Sequence, residues 1–292
     1  MVISHLSGGF GNQLFSYAFA YAVAKARGEE LWIDTSIQDS DWFFRNPDIL
    51  NLNIKFDKRL SYKIGRSKLD KILNRIRFRS AIGWNTKIIK ESDIPNVDGW
   101  FSTCVNQKGN IYIKGNWSCE EQFITAKSDI LDMYSFNNSL SLGAQKVADE
   151  ISSQKVSVGL HYRRGDYVKI GIVPSPDYFF DAMSSMSSRF NNPVFYCFSE
   201  EIDWVKKQFE GLPYDIRYPE YDSDNSSLED FRLYSMCKHQ IASNSSYSWW
   251  GAYLNTNENK YIIAPTDYDG GWSTKLYPKG WDLRPLKFLK QG

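Results

Sequence analysis

The densest chemistry in the chain lies at His161-Tyr162-Arg163-Arg164-Gly165-Asp166-Tyr167, where two arginines, a histidine and an aspartate crowd around one glycine. A guanidinium presents a planar fork of N–H donors that meets a phosphate or carboxylate at two points, which a lysine cannot do. While the chain stays extended, Arg163 and Arg164 must point to opposite faces, so they should have different tasks. Gly165 can end that regularity, and spacing leaves open which arginine does which. A surface ion pair with Asp166 is the plain structural alternative. The segment ends the apolar run Val156–Tyr162, however, and ligands of open α/β sheets bind beyond the carboxyl ends of strands, which favours a ligand site.

Two further stretches offer an amide-rich turn before a helix start. Ser7-Gly8-Gly9-Phe10-Gly11-Asn12-Gln13 separates a short apolar run from a helical one. Gly9 and Gly11 would let the backbone approach an anion, with Asn12 beside them and the positive end of the helix dipole behind. It is not a Walker loop, because Gly-Lys-Ser/Thr is missing, and it lacks the third glycine of GxGxxG. A tight turn alone would explain it nearly as well. Asn244-Ser245-Ser246 repeats the arrangement after Gln240–Ser243 and before a helix carrying Trp249, Trp250 and Gly251, whose aromatics read as core. Ser199-Glu200-Glu201 closes the run Val194–Phe198. A helix cap accounts for it, with Glu200 kept as a candidate ligand. Asp230 lies in the helical run Leu228–Cys237.

Metal chemistry has little support. Asp39-Ser40-Asp41, Asp222-Ser223-Asp224 and Asp267-Tyr268-Asp269 are DxD patterns in stretches that read as loops. The cysteines Cys104, Cys119, Cys197 and Cys237 are far apart, and no two of His5, His161 and His239 share a helical i, i+4 spacing. The cysteines are expected to be buried reduced thiols of a cytoplasmic protein.

The elements that must position these groups alternate. Val2-Ile3, the glycine turn, a helix to Arg27 closed by Gly28, and the strand Leu31-Trp32-Ile33 form a βαβ unit. Beyond residue 155, strands at Val156–Tyr162, Val194–Phe198, Tyr214–Tyr218, Gln240–Ser243 and Tyr261–Ala264 alternate with helices at Pro176–Phe190, Ile202–Phe209, Leu228–Cys237 and Tyr247–Leu254. This pattern predicts a doubly wound parallel sheet. Two α/β domains are expected, residues 1–145 and 146–292, joined near residues 137–150.

With 292 residues, 42% of them apolar, the chain can bury a large core. Lys+Arg 35 against Asp+Glu 34 gives a net charge of +1, which argues against nucleic-acid binding. The apolar stretch Leu14–Ala24 is too short to span a membrane. No Lys or Arg precedes it, and the glycine turn lies where a signal peptide would continue, so it is read as part of the fold. Residues 55–79 are the exception to the neutral balance: ten basic residues oppose two aspartates, a net charge of +8. Leu69, Ile72, Leu73 and Ile76 follow a helical spacing there. A solvated helix face is the plain reading; docking on an acidic partner, or peripherally on the inner face of an anionic membrane, is the sharper one.

Taken together, Gly8–Gln13, His161–Tyr167, Phe198–Glu201 with Trp204, and Asp230–Asn255 resemble the inverting α-1,2-fucosyltransferases of glycosyltransferase family 11, in the family's order over roughly residues 5–265. The resemblance implies a GT-B-like enzyme, two Rossmann-type α/β domains with parallel sheets facing across a cleft, that uses GDP-β-L-fucose without an essential metal. It implies Arg163 and Arg164 on the β-phosphate, with Ser245 and Ser246 on the same diphosphate and Asn244 beside them. It also implies His161 and Asp230 on the guanine, and Asn12 approaching the phosphate from the N-terminal domain. Acceptors would be β-galactosides of surface glycans or their lipid-linked precursors. Asp166 is the candidate general base, its pairing with Arg163 the alternative. Another GDP-sugar, another linkage, or a non-catalytic glycan-binding protein are the competing functions.

Overall fold

A computed structural model describes residues 1–41, 43, 45–223, 226–266 and 274–289. The chain divides between Asn138 and Ser139 into two compact units, each built on one sheet.

The first unit holds β1 (Val2–His5), α1 (Phe10–Arg27), β2 (Leu31–Asp34), β3 (Lys58–Leu60), α2 (Lys68–Ile82), β4 (Lys87–Lys90), α3 (Trp100–Asn106), β5 (Ile111–Lys114) and α4 (Lys127–Met133). Its strands are parallel in the order β3-β2-β1-β5-β4. The apolar stretch that could be mistaken for a leader is the interior of α1, where Leu14, Phe15, Tyr17, Ala18, Phe19 and Ala20 are fully buried. Gly28 ends this helix in the left-handed conformation, at φ 62°. Only the end of α2 packs inward, through Phe78, Ala81 and Ile82, onto Ile3, Leu60 and Tyr112 of the sheet. Strands β3 to β5 lie outside the sequence reading of this half, because short segments such as Lys58-Arg59-Leu60 and Lys87-Ile88-Ile89-Lys90 carry little apolar signal.

The second unit holds α5 (Leu142–Ser153), β6 (Ser157–His161), α6 (Tyr167–Ile170), α7 (Pro176–Arg189), β7 (Val194–Phe198), α8 (Ile202–Gln208), β8 (Asp215–Arg217), α9 (Ser226–Met236), β9 (His239–Ile241), α10 (Ser246–Tyr253), β10 (Ile262–Thr266) and β11 (Asp282–Pro285). The six strands are parallel in the order β11-β10-β9-β6-β7-β8. Five strands were expected. The sixth, β11, has only one large aliphatic residue, Leu283, within Asp282-Leu283-Arg284-Pro285, and so shows no strand pattern.

Both faces of this sheet are covered, as a parallel sheet requires. Val158, Leu160, Phe195 and Cys197 face α7 and α8, while Val194, Tyr196 and Phe198 face α5, α9 and α10. Trp249 and Trp250 are core, 1% and 0% exposed. Much of the chain's aromatic content is therefore spent on packing. All four cysteines are buried and free.

Tyr234 of α9 sets the spacing on that second face. A Cβ on Gly159 of β6 would lie 2.8 Å from its Cδ2 and 3.0 Å from its carbonyl oxygen, and a Cβ on Gly251 of α10 would lie 2.4 Å from its Cδ1. The ring is wedged between two glycines, which is why strand and helix lack side chains there. Gly159→Ala is expected to cost about 1–3 kcal/mol through overpacking, read as a lowered midpoint in urea unfolding. An unchanged midpoint would show that Tyr234 is free to move.

Candidate active site

The candidate residues of the second unit meet at the carboxyl tips of β9, β6 and β7, which are neighbours in the sheet. The chain proceeds from β6 outward through β7 to β8, then returns to place β9 on the other side of β6. That reversal is the topological switch point, where the connections leave β6 and β9 in opposite directions and open a crevice. The glycine turn occupies the corresponding place in the first unit, after β1, with β2 and β3 on one side and β5 and β4 on the other.

Residues leaving β6 are claimed in turn by different neighbours. His161 is 3% exposed, its ring 4.7 Å from that of Tyr247 and 6.2 Å from that of Tyr234. Burial, with some help from the Arg163 charge, lowers its pKa to about 3, so the imidazole is neutral. Its Nδ1 is buried with no hydrogen-bond partner among the described residues, a polar atom left for something else to satisfy. Tyr162 turns the other way, stacks on Phe179 with centroids 4.2 Å apart, and donates to the Pro174 carbonyl at 2.6 Å.

The two arginines then part, as alternation requires. Arg163 pairs with Asp166 and Glu200 and lies over the Tyr167 ring at 5.1 Å. Arg164 pairs with Glu201 and lies over the Trp204 ring at 4.4 Å. Their side chains are 14% and 18% exposed, against 41% and 37% for Glu200 and Glu201. Arg163 commits both terminal nitrogens to carboxylates, while Arg164 commits only Nη1. Asp166 is thus the partner of Arg163, and Glu200 and Glu201, which a helix cap would explain, serve instead as counter-ions of the arginine pair.

On the β9 side, Ser245 caps α10 by accepting from the Tyr247 amide at 3.3 Å, and Ser246 opens the helix. Asn244 is spent on the scaffold. Its Nδ2 donates to the Ile172 carbonyl at 3.0 Å, its Oδ1 accepts from the Ser243 hydroxyl at 3.1 Å, and its carbonyl accepts from Tyr167 at 3.0 Å. Asn244 thereby positions the turn through its side chain rather than offering that side chain to a ligand. Asp230 accepts from Tyr221 Oη at 2.5 Å. Burial raises its carboxyl to about 6; the Tyr221 hydrogen bond opposes that rise, and Glu229 adds to it. Tyr247, facing His161, also packs edge-on against Phe231, the neighbour of Asp230.

In the first unit, Gly8 rather than Gly9 makes the turn. Its φ is +72°, and a Cβ would lie 2.8 Å from Asn12 Nδ2. Gly9 is extended and caps α1, and a Cβ there would meet nothing within 4 Å. Gly11 is buried in the first turn of the helix. The start of α1 has no side-chain cap and no acidic residue, which leaves its positive end available to an anion. Gln13 closes the loop from below, donating to the Gly8 and Asn46 carbonyls at 3.1 and 2.8 Å.

A side-chain relay with little signal in the sequence lies at the same strand tips. Tyr112 Oη donates to Asp34 at 2.7 Å and lies 2.8 Å from His5 Nδ1. One hydroxyl proton serves one partner, so donation to Asp34 makes His5 Nδ1 the donor to Tyr112 and turns Nε2 into the acceptor. Asp34 falling at the end of β2 was the only signal.

Of the DxD patterns, Asp39 is held by Arg59 at 2.7 Å and Asp41 by Lys63 at 2.7 Å. Asp224 and the whole of Asp267-Tyr268-Asp269 lie outside the described residues. Among the described residues no three His, Cys, Asp or Glu side chains gather as a metal site, and no helix is long and apolar enough to cross a membrane.

The chain matches the family model for glycosyl transferase family 11 over residues 1–283. An alpha-1,2-colitosyltransferase of Escherichia coli is 30% identical, over 99% of this chain and 98% of its own. The O-antigen biosynthesis glycosyltransferase WbnK of Escherichia coli is 26% identical, over 95% of this chain and 98% of its own. A galactoside alpha-(1,2)-fucosyltransferase of Leontocebus fuscicollis is 30% identical over 36% of this chain and 30% of its own. Among solved structures, the fucosyltransferase NodZ from Bradyrhizobium has a TM-score of 0.52 at 15% identity, over 87% of this chain and 92% of that one. That likeness shows the fold, a GT-B type with two parallel-sheet α/β units. With the family match running across both units, the chain belongs to glycosyl transferase family 11 and is a fucosyltransferase-like enzyme.

Proposed function

We propose that this enzyme transfers L-fucose, with inversion, from GDP-β-L-fucose to the 2-hydroxyl of a β-galactoside in a surface glycan or its precursor. The observation that carries the reading is the arginine pair beside the α10 turn at the switch point of the second sheet, in a family 11 chain. Glycosyl transfer through an oxocarbenium-like state loads negative charge onto the departing diphosphate. Donors already aimed at that charge lower the barrier. Arg164 would take the diphosphate, because one of its terminal nitrogens is uncommitted, whereas both of those on Arg163 are held by carboxylates. Arg163, held by two carboxylates, would keep the turn in place and add charge. The Ser245 and Ser246 hydroxyls and the first turn of α10 would meet the same group. These cations and helix-end donors are the reason to expect activity without an essential metal, checked by full turnover in EDTA.

His161 and Asp230 would hold the base. A neutral imidazole with an unsatisfied nitrogen and a carboxylate offer complementary hydrogen bonds to the edge of a guanine. Asn12, Gly9 and Gly11 would supply a second anion contact from the first unit. Asp166, bound to Arg163, is the proposed general base in a reaction led by departure of GDP, where a weak base suffices. A lipid-linked acceptor would bring the enzyme to the cytoplasmic side of a membrane.

A second reading has a specific observation behind it: the relative that is 30% identical over nearly the whole chain is named for colitose. Colitose is L-fucose without its 3-hydroxyl, so the two donors differ by one group. Turnover of GDP-fucose and GDP-colitose in competition, over a panel of galactosides with the product linkage read by NMR, tests both. Preference for GDP-fucose and a 1,2-linkage is expected; exclusive use of GDP-colitose would replace the donor assignment.

Arg164→Ala is expected to lower kcat about 10²–10³-fold, and Arg164→Lys to recover only part, because the charge returns without the fork. Near-normal turnover of the alanine variant would remove Arg164 from the mechanism. GDP affinity should fall as the pH drops through about 6, where Asp230 takes up a proton and ceases to accept. The loss should approach about 1.5–3 kcal/mol, the worth of a hydrogen bond to a charged group. Calorimetric titration of GDP across that range checks it. Asp230→Asn should bind weakly at every pH and flatten the profile.

A further inference from the structure

Helix α2 carries two apolar faces, and only one of them packs. Phe78, Ala81 and Ile82 meet the first sheet. Leu69, Ile72, Leu73 and Ile76 are 67%, 61%, 40% and 50% exposed. At 3.6 residues per turn these four fall within an arc of about 100°, roughly opposite Phe78 and Ile82. Trp84, just past the helix, is 68% exposed. The plain reading is a solvated helix face; the structure leaves the aliphatic residues of that helix exposed as well.

The surroundings of this stripe are cationic. Arg66, Lys68, Lys71, Arg75, Arg77 and Arg79 oppose a single acid, Asp70, which is occupied in capping the helix with Ser67. Projected on the helix, Lys68 and Arg75 flank the stripe on one side and Arg77 on the other, while Lys71 falls on the side of Phe78 and Ile82. Large aliphatic side chains exposed together mark a contact surface. A helix with an apolar stripe, a tryptophan and bordering lysines and arginines suits the boundary between acyl chains and headgroups. A second copy of the chain fits poorly, since it would bring like charges together.

We propose that the outward face of α2 docks the enzyme on a membrane of anionic lipid, with Leu69, Ile72, Ile76 and Trp84 entering the interface and the flanking cations meeting headgroups. The proposal does not rest on the identity of the donor or acceptor. It is tested on the full chain by co-sedimentation with vesicles of phosphatidylcholine alone or of phosphatidylcholine and phosphatidylglycerol in equal parts. The wild type is expected to pellet with the anionic vesicles and to stay in solution with the neutral ones. Lys68→Gln with Arg75→Gln and Arg77→Gln should weaken binding about a hundredfold, at about fivefold per charge. Leu69→Ser with Ile72→Ser and Ile76→Ser should weaken it about tenfold or more while keeping the charges. Because these positions are exposed, both variants should keep the wild-type unfolding midpoint and turnover of a soluble acceptor. Wild-type protein remaining in solution with anionic vesicles would overturn the proposal. So would an apolar-face variant that binds as well as wild type, or a wild-type dimer abolished by the same serines.

Discussion

A parallel strand covered on both faces spends its backbone on its neighbours and its side chains on two helix layers, so only its carboxyl tip can meet a ligand. β6 shows how much that constraint decides. Gly159 yields to Tyr234, Leu160 joins one core, His161 faces Tyr247, and Tyr162 is anchored to Pro174. With these four residues fixed, Arg163 and Arg164 have little freedom in where they emerge. Each guanidinium is backed by an aromatic ring and held by a carboxylate from the tip of β7. The exposure is unequal within each pair. The arginines are enclosed, while Glu200 and Glu201 reach toward water. When an anion arrives, the carboxylates can be resolvated at modest cost, whereas an enclosed guanidinium stripped of its counter-charge would be expensive. The pair is therefore set to exchange one anion for another without moving its cations.

The same packing fixes the other edge of the site. Tyr234 is wedged between Gly159 and Gly251, which sets how closely α9 approaches β6 and α10. Asp230 is on α9, four residues before Tyr234, one helical turn away on the same side. A tight contact deep in the core thus fixes the helix that carries Asp230, and the same Tyr234 ring lies 6.2 Å from the His161 imidazole. Burial gives each group the state suited to its place. His161 stays neutral, and Asp230 is ionised at neutral pH yet close enough to titration for acidity to matter.

The positions of these groups along the chain were legible because they follow strands with continuous apolar runs. Val194–Phe198 is found where its sequence puts it, and the tip of β6 follows from the run Val156–Tyr162. What stayed hidden was set by partners distant in sequence. Glu200 and Glu201 look like helix-capping acids until Arg163 and Arg164 are brought beside them. Asn244 looks like part of an anion cradle until Ile172 and Ser243 take its amide. Gly8, Gly9 and Gly11 are alike in sequence, and only φ shows that Gly8 bears the turn. β11 and β3 are edge strands with mixed polarity, and edges need little hydrophobicity to be accepted by a sheet that already exists. For the stripe on α2, periodicity reports that a face is apolar and not what covers it.

The division of labour among these residues also limits what family membership decides. The arginine pair, the serine turn and the glycine turn fall at strand tips and helix starts, and in the proposed reaction they serve the nucleotide half of the donor. The sugar is chosen by other contacts. A site that spends a buried hydrogen bond on the 3-hydroxyl of fucose leaves that partner orphaned with colitose and discriminates steeply, by a factor on the order of 10⁴–10⁵. A site that lines the same position with aliphatic groups gains little from rejecting either sugar. Two enzymes can therefore share the arginine pair, the serine turn and the residues proposed to hold the base and still differ in donor through one polar side chain. The residues that make this chain recognisable and those that make its product specific are under different physical demands, and the second set need leave no motif.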